Sequence, residues 1–243
     1  MALFIPSLLV LQRKIILIPL FFISTALAEQ VNPKHIFSQN KKLVSEIVTD
    51  DGYGTGFLFG HDDAIITAKH LVDGVSRISV ILEGEKYNVD QVYYFENNID
   101  IAILKLDRDT KPIKVKYRIS NAGALDPVLL IANPYGLART VTTGYISNII
   151  NKNGNIYYIA TAASSLGSSG GPVFNYNGAL VGVHTGNYGG VHQSIISMDT
   201  IIGNIDEISL MPTYKYFGRT RRIFGSLKNA IYKPVDYLNT VLK

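Results

Sequence analysis

The chain has 243 residues, of which 47% are hydrophobic and 17% are charged, and its formal net charge is +4. This length suits one large domain or two small ones with a core of their own, and the composition excludes disorder over most of the chain. The absence of cysteine excludes a disulfide scaffold, thiol catalysis and cysteine-based metal sites. The positive charge is too small to indicate a nucleic-acid partner.

Residues 1–28 have the pattern of a secretory signal peptide. Arg13 and Lys14 form a short basic region, and the apolar run 15–24 follows it. The tripeptide Ala-Leu-Ala at 26–28 is an A-x-A site, which predicts cleavage at its end. An uncleaved membrane anchor is the alternative, although the apolar run is short for a membrane span. Export of a cysteine-free chain suits a bacterial protein that is periplasmic or secreted.

Short β-rich runs separated by turn signals fill the chain from Lys42 to about Met198. The number of these runs, about a dozen, and the scarcity of helical periods predict an all-β fold of barrels or sandwiches. A short helix is predicted from Asp199 to Ile208, because isoleucines recur there at helical spacing and Asp199 could cap it.

Residues 209–243 form a segment of different composition, with seven basic residues and one acid. Their apolar residues recur at helical spacing and predict a basic amphipathic helix. Such a helix could lie on an anionic membrane surface, pack its apolar face on a barrel, or dock on a partner or a second subunit. We favour the packed helix, since an apolar stripe on a soluble protein normally finds cover.

Three short segments carry residues of catalytic type. His70 ends a β-rich run, Asp100 begins the apolar run 100–106, and Ser169 lies in the glycine-rich stretch 167–173. Each has a structural explanation of its own: a strand-end histidine, a turn aspartate and a flexible loop. In the order His, Asp, Ser they fit a nucleophilic triad, in which a base activates the hydroxyl and a carboxylate orients the base.

These segments resemble the trypsin/chymotrypsin-like serine proteases. Thr-Ala-Lys-His at 67–70 stands where that family has T-A-A-H, and Asp-Ile-Ala-Ile-Leu-Lys-Leu at 100–106 where it has D-I-A-L-L-K-L. Gly-Ser-Ser-Gly-Gly-Pro at 167–172 stands where it has G-D-S-G-G-P. The resemblance covers about residues 40–208, within a protease domain assigned to 29–208. It implies two antiparallel six-stranded β-barrels with the active site in the cleft between them.

The resemblance also implies roles for individual residues. His70, Asp100 and Ser169 would form the triad of an endopeptidase acting on polypeptides. The backbone N–H groups of Gly167 and Ser169 would form the oxyanion hole. No metal or organic cofactor is implied.

The HtrA/Deg-type periplasmic proteases are the branch that the chain resembles more closely. Gly-Thr-Gly-Phe at 54–57 is similar to their G-S-G-F strand, and Ala-Asn-Pro-Tyr-Gly at 132–136 to their G-N-P-F-G stretch. Residues 160–169 depart from their T-D-A-A-I-N-P-G-N-S pattern. The 35 residues after position 208 are too few for a PDZ module. We therefore expect a protease domain without one, and we predict neither cage assembly nor any other oligomeric state.

The segment Gly-Val-His-Thr-Gly at 182–186 is similar to the G-I-H-W-G of glutamyl endopeptidases and the G-x-H of picornavirus main proteases. Those families place a threonine where this chain has Ser164. The resemblance implies that Ser164 and His184, with Gly186 beside them, bind a Glu or Gln side chain before the cut. The resemblance to the trypsin-like fold implies that the Thr185 hydroxyl meets the catalytic aspartate. The alternatives are a His184 that faces away from the pocket and a small aliphatic preference of the HtrA type.

A function of another class stays open at the level of the sequence. A catalytically silent protease-fold module could hold a peptide in the same cleft, or dock on a membrane or a partner through residues 209–243. An HtrA-like chaperone-protease acting on unfolded exported proteins is a further alternative. An intact triad argues against the silent module, because peptide binding alone has no need of all three groups.

Overall fold

The computed structural model describes residues 32–95, 97–110, 117–190 and 192–205, together with the backbone of 208–210. The predicted signal peptide at 1–28 and the predicted helix of the basic tail lie outside the described residues. Within the described part, no helix is both long enough and apolar enough to cross a membrane.

Strands dominate the described chain, as the alternation of β-rich runs and turns predicts. The strands are β1 (Val44–Thr49), β2 (Tyr53–Leu58), β3 (Ala64–Thr67), β4 (Ile78–Leu82), β5 (Glu85–Phe95), β6 (Ala102–Leu106), β7 (Pro127–Ala132), β8 (Thr140–Lys152), β9 (Asn155–Ala160), β10 (Pro172–Asn175), β11 (Leu180–Tyr188), β12 (His192–Ser197) and β13 (Ile208–Leu210). The helices are α1 (Pro33–Asn40) and α2 (Met198–Gly203), and single 3-10 turns occur at Lys41–Leu43, Lys69–Leu71 and Pro134–Gly136.

The strands close into two antiparallel barrels of six strands each. In the first, the order is β4-β1-β2-β3-β6-β5, and β5 pairs again with β4 to complete the ring. In the second, the order is β10-β11-β12-β9-β8-β7, closed by the pairing of β10 with β7. The predicted fold is thereby confirmed. The last strand, β13, adds to the free edge of β5 and carries the chain two residues past the predicted domain end at 208.

The core lies in three clusters, one inside each barrel and one between the barrels. Aromatic rings fill the cluster between the barrels. Tyr117, from the linker, stacks on Phe59 of the first barrel at 5.7 Å and contacts Phe174 of the second at 5.9 Å between ring centroids. The hydroxyl of Tyr117 donates to the carbonyl of Leu58 at 3.0 Å, and burial raises its pKa, so the phenol stays protonated. This shared core fixes the cleft between the barrels.

The helix after the second barrel differs from its prediction at both ends. Ser197, not Asp199, is the cap: its backbone is extended and its hydroxyl accepts from the Thr200 N–H at 3.1 Å. The helix ends at Gly203, and Ile208 lies in β13 instead, because its backbone pairs with Phe95. Helix α1 was not predicted. Pro33 begins it, and the Asn32 side chain accepts from the Lys34 N–H at 2.9 Å.

Candidate active site

A cleft of about 590 Å³ opens between the barrels, and residues of both line it. The first barrel contributes His70 and the neighbouring turns, and the second contributes Gly167, Ser169 and His184. The packing of one barrel on the other therefore brings residues together that are far apart in the sequence. His70 and Ser169, two of the residues predicted for catalysis, both line this cleft.

Asp100 holds His70 by two hydrogen bonds. The His70 backbone N–H donates to Asp100 Oδ1 at 2.9 Å, and His70 Nδ1 lies 2.7 Å from Asp100 Oδ2. A carboxylate only accepts, so Nδ1 carries the proton and Nε2 keeps a lone pair in the neutral ring. Ile99 and Ile101 are fully buried on either side of Asp100 and anchor the carboxylate to the first barrel. The ring is thus fixed in both orientation and tautomer.

The two neighbouring serines of the glycine-rich turn have different environments. Ser168 is buried, and its hydroxyl accepts from the Ser165 N–H at 3.1 Å, which closes the turn. Ser169 lines the cleft together with His70. Ser168 is therefore part of the turn's own structure, and Ser169 is the serine that can meet a bound molecule.

The peptide between Leu166 and Gly167 has a definite orientation. The Leu166 carbonyl accepts from the Tyr135 N–H at 2.8 Å, so in this trans peptide the Gly167 N–H faces the opposite way. Gly167 has φ +92°, and a Cβ there would lie 2.6 Å from the Asn133 carbonyl oxygen. Only glycine suits both conditions. Within the described chain, the N–H groups of Gly167 and Ser169 have no hydrogen-bond partner, and both residues line the cleft.

Thr55 of β2, for which no role was predicted, connects this turn to the first barrel. Its hydroxyl donates to the Gly167 carbonyl at 2.6 Å and accepts from the Asn133 N–H at 2.9 Å. Its own N–H donates to the Ser169 carbonyl at 2.8 Å. Thr55 is fully buried, so these bonds are shielded from water. The Gly-Thr-Gly-Phe motif was the available signal, but nothing in it showed what the hydroxyl contacts.

Beside the turn, Ser164 and His184 meet at one further residue, Gln193. His184 Nε2 lies 3.1 Å from Gln193 Oε1, and the Ser164 hydroxyl donates to the same oxygen. Ser164 Oγ also lies 3.2 Å from Asn187 Oδ1. His184 is 2% exposed, and this burial lowers the pKa of its ring. Gln193 and Asn187 were not predicted, because two amides on neighbouring strands form no sequence motif.

The other two predicted pocket residues, Thr185 and Gly186, have different environments. Gly186 lines the cleft, as expected of a pocket segment. The Thr185 hydroxyl lies 3.5 Å from the Ser194 carbonyl, and the described hydrogen bonds of the Asp100 carboxylate are those to His70. The contact of Thr185 with Asp100 stays a prediction. A bulge interrupts the pairing of β11 with β12 between His184 and Gly186, at the position of Thr185.

One group of metal-ligating side chains lies among the described residues, away from the residues that line the cleft. Ligand atoms of His61, Asp63 and Asp109 lie within 4.8 Å of one another, and His61 Nδ1 is 2.7 Å from Asp63 Oδ1. The short distance identifies a histidine–carboxylate pair. No step of the chemistry below passes through it.

We expect that Thr55→Val, which keeps the side-chain shape but removes the hydroxyl, destabilises the fold. The Gly167 carbonyl and the Asn133 N–H would lose a buried partner, which costs about 1–3 kcal/mol of unfolding free energy. Urea denaturation measures this loss of unfolding free energy, with Thr55→Ser as the matched control that keeps the hydroxyl. Equal stability of Thr55→Val and wild type would show that the hydroxyl does not hold the turn.

Known proteins match this chain across the same region. The trypsin-like peptidase domain family matches residues 54–183. A probable periplasmic serine endoprotease DegP-like from Marinomonas sp. (strain MWYL1) is 30% identical over 173 residues, covering 66% of this chain and 36% of that protein. The chloroplastic Protease Do-like 1 of Arabidopsis thaliana is 30% identical over 208 residues, covering 77% and 45%. The chain thus spans less than half the length of these relatives.

Solved structures share the fold. The active form of the Rv3671c protease from M. tuberculosis has a TM-score of 0.64 at 21% identity, covering 72% of this chain and 85% of that one. The serine endoprotease from Yersinia pestis has a TM-score of 0.64 at 24% identity, covering 72% and 66%. The family match extends over more than half of the chain and includes His70, Asp100 and Ser169. The chain belongs to the trypsin-like peptidase family, with relatives of the DegP and Do-like type.

Proposed function

We propose that this protein is a serine endopeptidase that hydrolyses polypeptides through an acyl-enzyme. The observation that carries the proposal is the convergence of Ser169 with the Asp100-held His70 on one cleft. Ser169 Oγ attacks the peptide carbonyl while His70 Nε2 takes its proton. Asp100 stabilises the imidazolium that forms, and His70 then gives the proton to the leaving amine. Water, activated by the same ring, hydrolyses the ester and restores Ser169.

The free N–H groups of Gly167 and Ser169 support an oxyanion hole at the same place. Charge develops on the carbonyl oxygen during the attack, and fixed donors already aimed at the cleft stabilise it without reorganisation. The hydrogen bond from the Tyr135 N–H to the Leu166 carbonyl keeps the Gly167 N–H available. The site is thereby set for catalysis before substrate arrives.

For the residue before the cut, we propose a side chain that can hydrogen-bond, glutamine or glutamate. Ser164 and His184 support this, because both line the cleft next to the nucleophile turn. A pocket that hydrogen-bonds its substrate rejects an analogue without the matching group strongly, because its own buried polar atoms would then be unpaired.

Export is part of the same proposal. The leader pattern at 1–28 supports it, and so do the relatives whose names describe periplasmic proteases. Contact of the basic segment 209–243 with a membrane surface or a partner protein rests on its charge and apolar spacing alone.

Ser169→Ala and His70→Ala should each lower kcat by about 10⁴–10⁶-fold, because nucleophile and base act as one unit. Initial rates on a mixed peptide substrate measure this, with Ser79→Ala as a control in which a β4 serine that does not line the cleft loses its hydroxyl. Activity of either triad variant within tenfold of wild type would refute the mechanism.

Expression of the full chain in a bacterium tests export. We expect a soluble periplasmic or secreted form whose N-terminal sequence begins at Glu29, because signal peptidase cuts after an A-x-A site. A membrane fraction that retains the intact N-terminus would contradict cleavage and favour the anchor.

A further inference from the structure

The polar wall of the cleft beside the nucleophile turn has fewer protons than its oxygens need. Gln193 Oε1 and Asn187 Oδ1 both lie within hydrogen-bond distance of the Ser164 hydroxyl. A hydroxyl has one proton and can donate to only one of these two oxygens. The other amide must therefore turn its NH₂ group toward Ser164 Oγ, where it donates to the hydroxyl oxygen. Ser164 thus forces the two amides into opposite orientations.

Two arrangements of the protons satisfy the hydrogen bonds of this wall. Each leaves one NH₂ group and one amide oxygen without a partner in the wall. In the first, Ser164 and His184 Nε2–H donate to Gln193 Oε1, and Asn187 donates to Ser164. Gln193 then presents its NH₂ group and Asn187 its oxygen. In the second, Ser164 donates to Asn187, and Gln193 donates to Ser164 and to a bare His184 Nε2. Gln193 then presents its oxygen and Asn187 its NH₂ group.

The outer amide atoms of Asn187 and Gln193, which make no hydrogen bond within the wall, are neighbours. Asn187 and Gln193 are directly opposite in the pairing of β11 with β12, so their side chains are neighbours on one face. The outer amide atom of Gln193 has no hydrogen-bond partner among the described residues, yet it is not one of their fully buried unpartnered atoms. It therefore keeps some contact with solvent, next to Ser164 and Asn187, which line the cleft. Asn187 is exposed there and lines it.

We propose that this wall recognises a primary amide, that of a glutamine before the cut, and rejects the carboxylate of glutamate. One donor beside one acceptor is the complement of an amide, whereas a carboxylate needs donors at both oxygens. The inference rests on the proposed endopeptidase function and narrows its substrate class. Ser164, Asn187 and Gln193 are specificity-determining residues, and Ser164 acts by fixing the orientation of the two amides.

The charge of the cleft supports the same choice. Asp51 and Asp73 line it, and no lysine or arginine is among the residues lining it. The buried ring of His184 is held neutral, since burial lowers its pKa. A glutamate side chain would therefore enter without a cation to compensate its charge, which is costly in a partly desolvated pocket.

Four peptides that differ only in the residue before the cut, Gln, Glu, Ala or Val, test the inference on the mature protein. We expect kcat/KM for Gln to exceed that for Glu by about 10–100-fold. Asn187→Ala should lower kcat/KM for Gln about tenfold more than it lowers kcat/KM for Ala. Ser164→Ala should reduce the Gln-to-Glu ratio at least fivefold, because each amide can then turn its NH₂ group toward a carboxylate.

Ser79→Ala is the control for both variants, and melting temperatures verify that each variant is folded. A Gln-to-Glu ratio near one in wild type, or a preference for Ala or Val, would overturn the inference while leaving the peptidase in place. A ratio unaffected by Ser164→Ala would overturn the role of Ser164. If no peptide is cut in a Ser169-dependent way, the proposed function itself fails, and the inference with it.

Discussion

The hydrogen bonds of Thr55 are the interaction on which the cleft depends. One buried residue of the first barrel holds the carbonyls of Gly167 and Ser169 and the N–H of Asn133, all from the second barrel. Gly170 lies against the same strand, and a Cβ there would stand 1.9 Å from the Thr55 carbonyl oxygen. The nucleophile turn therefore has one position relative to His70, although the two residues belong to different barrels.

Local rigidity and shared packing act together at this site. The aromatic cluster around Tyr117 sets how the barrels meet, and the Thr55 bonds transfer that arrangement to the turn. The Tyr135 N–H then fixes the peptide before Gly167. Donors placed in advance at the point where charge develops are the largest contribution that a protein makes to acyl transfer. In the proposed mechanism that preorganisation depends on two backbone contacts and one threonine hydroxyl.

The fold could be predicted from the sequence, and the candidate catalytic residues could be located in it, because their signals are local. Alternating β-rich runs predict strands, and the motifs around His70, Asp100 and Ser169 each fit within a few residues. The contact that holds the turn and the contact on which the proposed specificity rests are not local: Thr55 meets Gly167 across 112 positions, and Ser164 meets Gln193 across 29. Thr185 lies at a bulge between β11 and β12. The cap of α2 is the one of two nearby polar residues whose backbone is extended. Neither is encoded in a short pattern.

The central claim is that Ser169 is an activated nucleophile in a cleft already set for acyl transfer. Treatment of the mature protein with a fluorophosphonate, followed by peptide mapping, tests it most directly, because only a base-activated serine is phosphonylated at a measurable rate. The account predicts a single adduct on Ser169 that is lost in His70→Ala, with Ser168 unmodified. An unlabelled folded protein, or an adduct that persists without His70, would contradict it.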